Sequence, residues 1–409
     1  MKYVRELSCR ECGQGYPIAA QHVCELCFGP LEVTYDLEEL RASLNRAAIE
    51  TGPQSIWRYE ALLPAPEERV DIGAGATKLR RAPRLAAELG LQDLWLKLDG
   101  SNPTHSFKDR VVSVALSAAR MFGYGVAACA STGNLANAVA AHAGAAGMTS
   151  VVFIPSDLER GKVAATTVYG GRVVAIDGTY DDANRLCAEL AEGRPWAFVN
   201  VNLRPYYSEG SKTLAFEVAE QLGWRCPDAV VIPVASGSLL TKFGKGLREL
   251  HRVGLLEDEP QTSIHGAQAE GCSPVARAFA AGDEEVSPVK PRTIAKSLAI
   301  GDPADGFYAL REARATGGRI TAVSEEAVVE GMRLLARTEG VFTETAGGVT
   351  IATLERLVRE GHIGTRDETV ALLTGTGIKT MEALGDLGPT DRIPATVEAV
   401  DVLLGGLGA

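Results

Sequence analysis

Short apolar runs alternate with stretches in which apolar residues recur every three or four positions, and this alternation organises most of the chain. The runs predict strands at Val126–Ala130, Thr149–Ile154, Arg172–Ile176 and Trp196–Asn200. Between them, helical spacing predicts helices from Asn134 through Ala146, near Arg160–Tyr169 and over Tyr180–Ala191. A second series has strands at Leu94–Leu98, Asp228–Val234, Ser263–Gln268 and Glu368–Leu373. Its helices begin at Lys108, with Val111, Val114, Ala115 and Ala118 on one side, and cover Glu209–Leu222 and Glu326–Glu339. Continuous apolar strands separated by helices indicate parallel sheets covered on both faces. Nearer the start, a helix is expected over Leu37–Ala48 and a short one over Leu85–Leu89. Leu31–Leu37 alternates like a half-exposed strand. The expected fold class is α/β, with two open, mostly parallel αβα domains and a small N-terminal cysteine ribbon. The expected division is 1–37 for the ribbon, 38–98 with 206–409 for the larger domain, and 99–205 for the smaller. The segment 281–293 reads as an exposed connection, and the tail past about 385 receives no assignment.

Ligands in such sheets bind beyond the carboxyl ends of the strands, so those ends hold the candidate chemistry. Lys108 sits where the loop after Leu94–Leu98 feeds a helix. Burial and the positive end of the helix dipole both disfavour its charged form there, and a neutral amine can form a Schiff base with a carbonyl cofactor. A solvated surface lysine is the plain alternative. At Ser131-Thr132-Gly133-Asn134 a helix cap and a ligand contact are both open readings. Between a strand and a helix, Ala235-Ser236-Gly237-Ser238-Leu239 has small residues that let backbone amides cradle a phosphate. It is no Walker loop, because Gly244-Lys245-Gly246 lacks the following hydroxyl. The last strand runs into Thr374-Gly375-Thr376-Gly377, which can be a plain turn.

Four of the eight cysteines form two knuckles, Cys9-x-x-Cys12 and Cys24-x-x-Cys27. Such pairs can present four thiolates to a structural Zn²⁺, with no position left for chemistry; free thiols are the alternative. The scattered Cys129, Cys187, Cys226 and Cys272 read as reduced thiols. The chain's 409 residues and 46% hydrophobic content suffice for two domains and an appendage. A net charge of −11 argues against nucleic acid or an anionic membrane as partner. No run is long enough to span a bilayer and the start lacks a signal-peptide core, so a cytoplasmic protein is expected.

Asn102-Pro-Thr-His-Ser-Phe-Lys-Asp-Arg110 resembles the cofactor-lysine motif of the threonine synthases, within the tryptophan-synthase-β-like (fold type II) pyridoxal-phosphate enzymes. The likeness runs from Leu7 to about Leu384 through several motifs in order. Departures are His105 for the usual Gly, Lys78 for Pro, and the absence of a Gly-Asn-x-Gly-Asn phosphate loop. The resemblance implies pyridoxal 5′-phosphate on Lys108. It also implies Asn134 at the cofactor's phenolic oxygen, residues 235–239 around its phosphate and Thr374 at its ring nitrogen. Ser131 and Thr132 would face the substrate carboxylate. Some relatives carry Arg at the position of Tyr207; here Arg204 is the nearest guanidinium for the substrate phosphate. Lys212, Lys296-Ser297 and Glu344-Thr345 are weaker candidates, and His105 a proton carrier or a packing residue. The implied reaction takes O-phospho-L-homoserine and water to L-threonine and phosphate, in a homodimer. Rivals are β-replacement on O-phosphoserine, as in cysteate synthase-like relatives, a threonine or serine dehydratase, and a non-catalytic zinc-ribbon interaction protein.

Overall fold

The computed structural model describes residues 1–385 and 391–404; the last part of the expected 206–409 segment therefore lies partly outside the described residues. At the N-terminus Val4–Cys9 (β1) pairs antiparallel with Gly15–Tyr16 (β2) and Leu31–Tyr35 (β3). β3 alternates buried and half-exposed residues, as a one-faced sheet requires. Its inward side chains Leu31 and Val33 join Leu7, Phe243 and Leu247 in one core, so the ribbon is packed onto the body. Charge ties it down as well. Lys242 bonds Glu32 of β3 at 2.8 Å and Glu209 at 2.9 Å, and the Tyr35 hydroxyl donates to Glu209 at 2.7 Å.

Leu79–Arg81 (β4) and Leu94–Leu98 (β5) form the edge of a six-stranded sheet. Val126–Ala130 (β6), Thr149–Pro155 (β7), Arg172–Ile176 (β8) and Ala197–Phe198 (β9) make a separate parallel sheet in the order β8-β7-β6-β9. Ala229–Pro233 (β10), Ser263–Ala269 (β11), Ile320–Val323 (β12) and Thr369–Leu373 (β13) complete the first, in the order β12-β11-β10-β13-β5-β4. All its pairs are parallel except β4 with β5, where Arg80 faces Leu96. In register, Leu96 faces Ala371 and Val230 faces Ile264. Every residue of β10 and β13 is buried, which explains their unbroken apolar sequence.

The local differences from expectation have identifiable causes. The Leu37–Ala48 helix is two helices, Leu37–Ser43 and Arg46–Glu50, because Asn45 caps the second by accepting from the Ala48 N–H at 2.9 Å. The Glu209–Leu222 helix is likewise split into Arg204–Glu209 and Lys212–Gln221. Across the join, the Gly210, Ser211 and Thr213 N–H groups bond three residues back rather than four. A side chain at Gly210 would meet the Arg110 carbonyl at 2.5 Å, so the break lies where two backbones touch. Arg204, expected in a loop, is the first residue of its helix, and Pro205 follows where a missing N–H costs nothing. The fourth small-sheet strand is only Ala197–Phe198. The unassigned tail contains an exposed helix, Val397–Leu404.

Candidate active site

Two adjoining cavities open at the carboxyl ends of the strands. The inner one, about 60 Å³, is walled by Lys108, Asn134, Thr374 and the whole Ala235–Leu239 turn. The outer one, about 200 Å³, shares Lys108 and Thr132 with it and reaches Arg204. The topology explains this convergence. Lys108 opens the helix after β5, Asn134 the helix after β6, and Ser238 the helix after β10, while Thr374 directly follows β13.

Among the described residues the Lys108 amine has one hydrogen bond, from Nζ to the Tyr207 hydroxyl at 2.9 Å. Burial pushes its pKa from 10.5 down to about 8, with Glu344 opposing. Burial raises the Tyr207 phenol, so it stays protonated. The Ser236–Leu239 backbone N–H groups make no bond among the described residues, and they stand at the N-terminus of the Ser238–Arg252 helix. Gly237 is required there. Its φ is +95°, and a Cβ would stand 2.6 Å from the Asp305 carbonyl oxygen. The Ser297 hydroxyl lines both cavities, buried and without a partner among the described residues. A free amine, unspent N–H donors around a small-residue turn, and an orphaned hydroxyl fit an aldehyde cofactor carrying a phosphate.

Asn134 is engaged at both ends. Its Nδ2 donates to Glu344 at 2.9 and 3.1 Å, and its Oδ1 accepts from Lys379 at 3.2 Å. The Thr374 hydroxyl reaches the same Glu344 carboxylate at 3.5 Å. Lys379 was not anticipated. It follows the Thr374-Gly-Thr-Gly377 turn, and burial lowers its pKa to about 8 against the pull of Glu344 and Asp109. The N-cap is Gly133 rather than a polar residue, but Ser131, two positions earlier, steadies the turn: its hydroxyl accepts from Gly133 N–H at 2.9 Å and Ala136 N–H at 2.8 Å. Thr132, beside it, keeps a hydroxyl with no bond among the described residues.

Arg204 does line the outer cavity, with its NH2 group 2.9 Å from Asp305. The other cations fall elsewhere. Lys212 is fully buried between Glu209 and Glu249, and Lys296 reaches out to Asp157 at 2.6 Å. His105 is exposed with φ +63°, a left-handed conformation that favours Gly, and its ring lies outside both cavities. The Arg110 guanidinium, two residues past Lys108, also went unremarked in the sequence. It makes six hydrogen bonds to Asp99, Glu217, Thr213 and Thr77.

At the ribbon, Cys9, Cys12, Cys24 and Cys27 gather their sulfurs within 4.8 Å of one another. The Cys9–Cys27 and Cys12–Cys24 sulfurs are 3.4 and 3.6 Å apart. That is far beyond a disulfide and near the ~3.8 Å edge of a tetrahedron with metal–sulfur bonds of about 2.3 Å. Gly29 is needed for this approach, since a Cβ would press on the Cys9 sulfur at 2.9 Å. Burial opposes ionisation of Cys24, but the Tyr16 hydroxyl and backbone N–H groups lower its pKa to about 6.

A strand-end lysine beside an N–H cradle, on this pair of sheets, is the arrangement that suits the fold type II class of pyridoxal-phosphate enzymes. The family model for pyridoxal-phosphate dependent enzymes matches residues 70–375. Solved structures agree on the fold. Diaminopropionate ammonia lyase from Escherichia coli superimposes with a TM-score of 0.66 over 77% of this chain and 89% of its own, at 18% identity. O-ureido-L-serine synthase gives 0.64 over 82% and 96%, at 22% identity. Among curated relatives, the threonine synthase of Methanocaldococcus jannaschii is 36% identical over 92% of this chain and 93% of its own. That of Methanosarcina acetivorans is 37% identical over 90% of each. The chain belongs to the pyridoxal-phosphate dependent enzymes and, within them, to the threonine synthase family.

Proposed function

We propose that the chain is a threonine synthase, converting O-phospho-L-homoserine and water to L-threonine and phosphate. The observation that carries this reading is the meeting, in one pair of cavities, of Lys108, the unspent N–H groups of residues 236–239 and Arg204. When bound, pyridoxal phosphate supplies an electron sink for the substrate's α- and β-carbons. Lys108 would hold it, the 235–239 turn its phosphate, Asn134 its phenolic oxygen and Thr374 its ring nitrogen. To meet that oxygen, Asn134 has to release a hydrogen from Glu344, and Lys379 keeps the other end of the amide in place. A hydroxyl at Thr374 does not protonate a ring nitrogen as a carboxylic acid does, which favours elimination and replacement over transamination.

The Lys108 amine would take the proton from the substrate's Cα, and its depressed pKa suits a base near neutral pH. Tyr207, hydrogen-bonded to Lys108 Nζ, orients that amine. Thr132 and the start of its helix hold the substrate carboxylate; Ser131 acts through its cap on the same turn. Arg204 holds the distal phosphate. Zn²⁺ on Cys9, Cys12, Cys24 and Cys27 is structural in this reading. The protein is proposed as a cytoplasmic homodimer, with the division 1–37, 38–98 with 206–409, and 99–205 as its domains.

The test offers phosphohomoserine, phosphoserine and threonine separately. Threonine and phosphate in equal amounts from phosphohomoserine are expected. Turnover confined to phosphoserine, or 2-oxobutyrate from threonine as the main product, would overturn the assignment.

A further inference from the structure

The ribbon is closer to the chemistry than a structural appendage needs to be. Between the two cysteine knuckles, the chain carries His22 into the wall of the outer cavity, in company with Lys108, Thr132, Tyr207 and Arg204. The His22 backbone is fixed, because its carbonyl accepts from the Leu31 N–H at 2.9 Å. The half-buried ring makes no hydrogen bond among the described residues. A second tie comes from Arg10, inside the first knuckle. It approaches Asp305 Oδ1 at 3.5 Å, the same oxygen that holds Arg204 at 2.9 Å. The ribbon therefore shares the counter-ion of the guanidinium proposed to hold the substrate phosphate.

We propose that His22 is a specificity-determining residue, donating a hydrogen bond from the ribbon to the substrate's distal phosphate opposite Arg204. The inference rests on the threonine synthase reading. Three basic side chains line the outer cavity: Lys108, Arg204 and His22. Lys108 is committed to the cofactor. The charge of Arg204 is already offset by Asp305, so a dianion needs a further donor to be held more tightly than water holds it. Of the neighbouring amides, Asn200 Nδ2 is engaged, donating to Asn184 Oδ1 at 2.8 Å. The Ser297 hydroxyl is another unbonded donor in this wall among the described residues, and the imidazole is the one that the ribbon supplies.

The holoenzyme, His22→Ala and His22→Gln are compared for kcat and KM with phosphohomoserine, and for inhibition by inorganic phosphate. In His22→Ala, KM and the phosphate inhibition constant should both rise about tenfold or more, the loss of one hydrogen bond to a charged group. The kcat should stay within about threefold, and the visible spectrum, zinc content and thermal midpoint should match wild type. His22→Gln, which keeps an N–H donor, should recover part of the loss. Unchanged KM and phosphate inhibition in a native-like His22→Ala would overturn the proposal, and so would a fall in kcat alone. Should His22→Ala not fold, the ring signals of His22 in the wild-type holoenzyme are followed by NMR during addition of inorganic phosphate. A saturable shift supports the contact, and no shift removes it. Wild-type enzyme that makes no threonine would instead sink the functional reading, while the phosphate titration would still report on His22.

Discussion

Lys108 and Arg110 stand two positions apart at the start of one helix, and the structure treats them in opposite ways. Arg110 is fully buried and saturated. Its guanidinium spans Asp99, on the loop after β5, and Glu217, on the Lys212–Gln221 helix, while Lys97 bonds the same Glu217 at 2.6 Å. These carboxylates hold its pKa above the ordinary value even against the cost of burial. Lys108, facing the cavity, has one neutral partner and a depressed pKa. A buried charge matched at every donor fixes a helix; a buried amine left under-matched sheds its proton and becomes reactive. One motif thus carries the anchor and the chemistry on opposite faces, and mutations should separate the two.

The largest effect should come from Lys108→Ala. Turnover of phosphohomoserine is expected to vanish, and with it the visible absorbance of lysine-bound cofactor, while the thermal midpoint stays close to wild type. Measurable threonine formation by that variant would remove Lys108 from the mechanism. Arg110→Leu should do the converse. It leaves Asp99 buried without its cation and Glu217 with Lys97 alone, which costs about 3–5 kcal/mol of stability. Urea unfolding checks this, and the fraction still folded should keep its cofactor spectrum. An unfolding midpoint equal to wild type would show that the network is not the anchor.

Arg204 lies between the two cases: it has a carboxylate partner, Asp305, yet it borders the outer cavity. Arg204→Lys keeps the charge but loses the planar fork. We expect KM for phosphohomoserine to rise by the equivalent of roughly 1.5–3 kcal/mol, with the cofactor spectrum unchanged. Identical kinetics would place the phosphate elsewhere. Lys212 is no longer a candidate there, since it is locked between Glu209 and Glu249.

The anchor was harder to see in the sequence than the chemistry. The strands and the strand-end turns follow from hydrophobic period and from Gly and small residues at turns; these place Lys108 at a strand end, and the resemblance of Asn102–Arg110 to the threonine synthase motif singles it out. Those signals are local. Arg110, Asp99 and Glu217 meet across more than a hundred residues, and nothing in their spacing says so. Lys379 was equally silent, since it reads as a surface lysine until Asn134 is brought to it. His22 had only its place between two knuckles. The splits at Asn45 and Gly210 went the same way: helical period continued through both, and a side-chain cap in one and a backbone contact in the other decided the outcome.

The smallest expected effect is also the most direct reading of the contrast. A lysine attacks an aldehyde only when neutral. With a pKa of about 8, Lys108 in the cofactor-free protein passes from mostly charged to mostly neutral between pH 7 and 9. The rate of cofactor attachment should therefore rise about tenfold over that interval and then level off, whereas an ordinary lysine would climb further, to about pH 10.4. Glu344 favours the charged form, so Glu344→Gln should move the plateau to lower pH. Stability obeys the same sign. Above about pH 8 the folded amine has released a proton that the unfolded chain keeps up to its ordinary pKa of 10.5. The penalty of burying a charged Lys108 is thus complete below that window and relieved as pH rises through it. Arg110 contributes nothing there, being charged in both states. Attachment that keeps accelerating beyond pH 10 would mean that the amine is solvated like any surface lysine, and the contrast between the two residues would fail.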